Sequence, residues 1–158
     1  MIYFKTVYLN SPDKTEVEKA IRKLASKRDS SIDLVSSGSL AGTDRLFIGS
    51  EGKYQVNFTR IRYYIEGLLP KIIISFPKSE ADNYYKLRLS FRTTLVFCLF
   101  TILFIMGCIA AISGENGFDA FFIFTIVALI FFLLILLEIK LTKRAIAKAI
   151  VKSNLITI

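Results

Sequence analysis

Two apolar runs near one end of the chain decide what it can fold into. Thr93 to Ile112 contains no charged residue, and neither does Ala120 to Leu137. Each is about 20 residues, the length an α-helix needs to cross a hydrocarbon core of roughly 30 Å. Residues 113–119, Ser-Gly-Glu-Asn-Gly-Phe-Asp, separate them and read as a turn. A helix that enters lipid satisfies its own backbone, and so does the one that returns. The pair therefore predicts a transmembrane helical hairpin over 93–138, with spans at about 93–113 and 118–138.

The charges around the hairpin predict its orientation. Lys86, Arg88 and Arg92 precede the first run; Lys140, Lys143, Arg144, Lys148 and Lys152 follow the second. The turn carries only Glu115 and Asp119. Lys and Arg close to a span are retained on the cytoplasmic side, so both termini are expected there. The eight basic residues are also the expected contacts for anionic headgroups, each worth about 1 kcal/mol near the surface. The net charge of +8 is thus assigned to a membrane surface and not to nucleic acid. Met1-Ile2-Tyr3-Phe4 lacks a basic n-region and no long apolar segment follows, so the first span is the expected targeting signal.

Ahead of the hairpin, residues 1–92 predict a small α+β domain with its own core. Ile2 to Leu9 is rich in β-branched and aromatic residues and reads as a strand. Ser11 as N-cap and Pro12 at the first position open a helix to about Lys27, with Val17, Ala20, Ile21, Leu24 and Ala25 on one face. Ile32-Asp33-Leu34-Val35 is a candidate short strand inside a Ser/Gly-rich stretch. Leu46 to Gly49 is a strand, and a turn follows at 50–53. Tyr54, Val56 and Phe58 then alternate with polar residues until the phase shifts, as a bulge near Thr59–Arg60 would produce. Ile72 to Phe76 and the alternating Tyr85, Leu87, Leu89 and Phe91 complete the set. Short connections favour an antiparallel meander, with one helix over a twisted sheet and the last strand running directly into the first span. Residues 139–158 form a basic helix, either an extension of the second span or a helix at the interface.

The succession of Phe47-x-Gly49, a strand at Phe58, Pro70 ahead of a β-rich run and a strand entering a two-helix hairpin resembles small bacterial two-span membrane proteins. In these a cytosolic α+β domain precedes the spans. The resemblance covers roughly residues 45–112. It implies the architecture and a bacterial source, hence the inner membrane, and no activity.

Catalytic chemistry finds little to use. The chain has no His, and Cys98 and Cys108 both lie in the first span, about 15 Å apart along a helix. That excludes a His-based metal site and a disulfide between them. The acids are scattered, and Glu66 beside Arg60 and Arg62 reads as an ion-pair partner. No nucleotide-binding, kinase or hydrolase signature is present. The expectation is therefore a non-enzymatic membrane protein without cofactor or metal. Its domain is expected to serve as an interaction module, an accessory subunit of a membrane assembly, with a protein partner or a second copy in the membrane. The alternatives are a tethered domain binding a lipid-like molecule and a membrane immunity protein.

Overall fold

A computed structural model describes residues 3–10, 12–28, 31–33, 44–62, 66–67, 69–79, 83–112 and 117–155. The α+β domain followed by two long apolar helices is as expected. The elements are β1 (Tyr3–Tyr8), α1 (Lys14–Lys23), β2 (Ala25–Lys27), β3 (Phe47–Glu51), β4 (Gln55–Arg60), β5 (Ile72–Pro77), β6 (Tyr84–Leu89), α2 (Phe91–Ile112) and α3 (Gly117–Leu155). The sheet order is β1-β6-β5-β4-β3-β2. All pairs are antiparallel except β2 with β3, which makes the sheet mixed.

Helix α1 is shorter at both ends than its apolar face predicts. Asp13 is the N-cap, its carboxylate accepting from the Lys14 N–H at 2.8 Å and the Thr15 hydroxyl at 3.1 Å. Ser11 lies outside the described residues. At the other end Leu24 closes the helix, and its carbonyl accepts from the N–H groups of Leu46 and Phe47. Ala25 to Lys27 then pair with Phe47 to Gly49 as β2. Sheet pairing supplies those backbone groups with partners, which overrides a helical side-chain pattern. The extra strand thus comes from residues 25–27. Ile32 and Asp33 sit in a turn, and Leu34-Val35 lie outside the described residues.

No bulge forms at Thr59–Arg60 against β3: the register runs unbroken from Glu51↔Val56 to Phe47↔Arg60. The apolar phase shifts because β4 ends there. Ile61 is buried on the opposite face of the sheet, where Ile48 and Ile73 are buried too. A register shift occurs instead in β1, between Tyr3 and Lys5. Gly49 has a packing reason. A Cβ there would meet Phe58 Cε1 at 2.9 Å, so only glycine lets the Phe58 ring lie over β3.

Residues 139–155 extend the second span, one of the two arrangements expected for the basic helix, and the difference lies in where they pack. Helix α3 runs unbroken for 39 residues, about 58 Å, with no Pro or Gly beyond Phe118. Its second half lies on the sheet beside α1. Ile135, Ile146 and Ala149 belong to the same core as Val17, Ile21, Phe47, Phe58, Phe76 and Leu87. Two helices therefore cover this face of the sheet, and residues 1–92 do not complete the core alone.

Helices α2 and α3 pack side by side. A Cβ at Gly107 would lie 3.2 Å from the Phe124 ring and 3.5 Å from Phe121 Cα, so the small side of α2 allows a close approach. The Phe100 ring packs at a tilt against Phe131 with centroids 5.4 Å apart, and Phe104 against Phe121 at 5.8 Å. The rest of the pair is open: only 11% of each apolar window is buried. A core helix of a soluble protein would be mostly covered. Both helices are long and apolar enough to cross a membrane.

Candidate functional site: the charged layer between the sheet and the apolar helices

Where β6 passes into α2, and where α3 leaves the apolar pair, the protein buries ionic groups. One residue, Ser90, separates β6 from α2. Its hydroxyl accepts from the Thr93 N–H at 3.3 Å, and its carbonyl from the Thr94 N–H at 2.8 Å, which caps α2. The Ser90 N–H donates to the Lys71 carbonyl, and the Lys71 N–H to Thr93 Oγ1 at 3.0 Å. The start of β5 is thereby stitched to the first turn of α2.

Asp33 holds the same junction from the other side. It receives both terminal nitrogens of Arg88, each at 2.9 Å, and the Phe91 N–H at 2.9 Å. A carboxylate at a helix N-terminus fills an otherwise empty donor and complements the helix dipole. Burial pushes the Asp33 carboxyl up, but Arg88 and the Phe91 N–H outweigh it and hold it below the usual range.

On the helix-covered face Arg60 points from the end of β4 to α3. It meets Glu138 through two nitrogens, at 2.8 and 3.4 Å, and Glu66 at 2.7 Å. Glu138 is 1% exposed. Arg62 donates to the Leu69 carbonyl and Lys71 Nζ to the Ile32 carbonyl. Lys71 is pushed down to about 8, first by burial, then by Arg62.

The layer is a fastening. Its bonds join segment 31–33, β4, β5, β6, α2 and α3, and breaking one of its buried pairs leaves an uncompensated charge. Lys71 gives it a measurable signature. Its folded pKa lies below the unfolded value, so folding is penalised while the amine is charged. The penalty is complete below pH 8 and fades as pH rises from about 8 toward 10.5. Stability should therefore be flat below about pH 8 and rise from about pH 8 toward 10.5 in thermal melts, a rise that Lys71→Met removes. A variant keeping the full slope would place its source elsewhere.

The eight basic residues expected at headgroups divide. Arg88 is 2% exposed and bound to Asp33, so its guanidinium is not available to a surface. Its position, at alternation with Leu87 and Leu89, predicted an outward side chain. That side of β6 is instead covered by the turn holding Asp33. Lys86 is half-buried, its amine 5.2 Å from the Tyr84 ring and 5.7 Å from the Tyr3 ring. Arg92 is exposed in the first turn of α2. Lys140, Lys143, Arg144 and Lys148 are exposed on α3, and Lys152 faces Asp44 at 3.6 Å. Glu66 is an ion-pair partner of Arg60, as read from the sequence. The roles of Asp33, Lys71 and Glu138 were not. The missed signal for Glu138 is the row Ile135, Glu138, Thr142, Ile146, Ala149, Ser153, a buried stripe at helical spacing that passes through the acid.

Comparison with protein-family models, with curated proteins and with solved structures found no match to this chain.

Proposed function

We propose that this is a two-pass protein of the bacterial inner membrane, with both termini cytoplasmic, whose sheet domain is a non-enzymatic interaction module. The observation that carries it is α3. One helix runs from the apolar pair into the core of the domain, and Arg60 binds it at the crossing point. A domain fastened in this way is held at a fixed height and angle over the bilayer. That arrangement serves presentation of a surface to a neighbour in the membrane, as in an accessory subunit of an assembly. The open apolar surface supports insertion: Ile102, Met106, Ile112, Phe122 and Ile123 are each more than half exposed. A continuous patch of that size is what lipid would cover.

Of the basic residues, Arg92, exposed in the first turn of α2, is the contact proposed for anionic headgroups. The topology is tested by cysteine accessibility in intact cells after Cys98 and Cys108 are replaced by Ser. Asn116→Cys should react with an impermeant maleimide, and Asn10→Cys only after the cells are opened. The reverse pattern would overturn the orientation.

A further inference from the structure

Helix α3 buries one stripe and leaves the opposite one open from Phe122 to Lys148. Phe122, Ile126 and Leu133 lie on that open side in the apolar half. At 100° per residue, Lys140, Arg144 and Lys148 continue the same row, and Lys143 flanks it. All four basic side chains are exposed. Among the described residues no carboxylate forms an ion pair with any of them, whereas Lys152 has Asp44. Lys140–Arg144 and Arg144–Lys148 are like-charge pairs at i,i+4, which disfavour the helix slightly. Topology accounts for the sign of these charges and the buried stripe for their alignment, which leaves one open basic face continuous with the apolar one.

Their height decides what they can meet. The last apolar residue of the run is Leu137. Along a straight helix Lys143 stands about 9 Å and Lys148 about 16 Å beyond it. The headgroup layer extends about 5–8 Å beyond the core and the Debye length in physiological salt is about 8 Å, so headgroup attraction acts on Lys140, Lys143 and Arg144 and weakens at Lys148. Packing on the sheet prevents the helix from lying down on the bilayer.

We propose that this face docks the transmembrane helix of a second protein, one that is apolar within the bilayer and acidic just beyond it on the cytoplasmic side. Charge complementarity selects this occupant. A second copy of the chain aligned along α3 would place its own bases against these four. Most spans carry bases at that boundary, so an acidic one is a distinguishing partner. The proposal rests on the two-pass reading and names the chemistry of the neighbour.

The test uses the full-length protein in neutral phosphatidylcholine nanodiscs. The probe is a synthetic peptide with an apolar run of about 20 residues, followed by a helix bearing Glu at i,i+4 spacing. A control peptide carries Gln at those positions. Binding is read by energy transfer between labels on α3 and on the peptide. The acidic probe should bind about tenfold tighter than the Gln control, as four exposed ion pairs together allow. The preference should vanish at about 1 M salt and in the K140Q/K143Q/R144Q/K148Q variant, whose changes touch no packed side chain. Equal binding of both peptides to the unchanged protein would overturn the proposal. So would slowed amide exchange at residues 143–148 on moving to phosphatidylglycerol discs, without any preference for the acidic probe, since that would assign the face to lipid. Cysteine accessibility is read independently of either result, so a failure of the topology and a failure of this face are distinguishable.

Discussion

Replacing Glu138 with Leu should destabilise the protein by about 3 kcal/mol, because it leaves the Arg60 guanidinium buried against α3 without its main partner. The magnitude follows from two opposing terms. Burying a charge costs several kcal/mol, and a close bidentate partner recovers most of that. Glu66 remains on Arg60 after the substitution, but it is partly exposed and screened, so it offsets only a fraction. Arg62 also loses a favourable charge, since Glu138 supports its protonated form. The double variant Arg60→Met with Glu138→Leu should recover most of the loss, because well-packed apolar side chains can replace a buried ion pair at little net cost. Thermal unfolding of the purified protein in mild detergent measures both. A single substitution costing under about 0.5 kcal/mol would mean the pair behaves like a surface contact.

The second large effect concerns the end of α3. Ile146→Asp should unfold the sheet domain, not merely loosen a tail. Ile146 lies in the core shared by α1 and the sheet. The change removes an apolar side chain and buries a carboxylate with no assigned partner, about 4 kcal/mol or more in total. That is comparable with the whole stability of a domain of this size. For the same reason a fragment ending at Ser90 should lack cooperative unfolding, because Ile135, Ile146 and Ala149 are missing from its core. Ala147→Asp is the control: it is exposed on the same helix and should be nearly neutral. Circular dichroism melts of the three proteins decide the matter. A folded fragment with a sharp melt would show that the sheet and α1 suffice.

These two expectations also mark the limit of what could be read from the chain. The apolar runs and strands β3 to β6 were legible, because each depends on a local period or on an uninterrupted length; of the turn expected over 113–119, residues 113–116 lie outside the described residues and 117–119 belong to α3. Strand β2 was hidden: Ala25 to Lys27 continue the face of α1, and only the distant partner Phe47 to Gly49 draws them into the sheet. The second half of α3 was legible as a basic helix, but its packing was not. Lys143, Arg144 and Lys148 dominate its composition, while Thr142, Ala149 and Ser153 make its buried stripe look polar or small. The charged layer was hidden for a similar reason. Asp33, Lys71 and Glu138 are far apart in sequence and carry no motif, and only the fold brings them to the same junction.

The central claim is that the sheet domain and the apolar pair form one body joined by α3. Amide hydrogen exchange of the full-length protein in nanodiscs tests it at residues 139–153. The account predicts protection close to that of β5, unchanged between neutral and anionic lipid, because these amides lie in an unbroken helix packed on the core. Rapid exchange, or protection that appears only with anionic lipid, would contradict it and would make this segment an arm resting on the membrane surface.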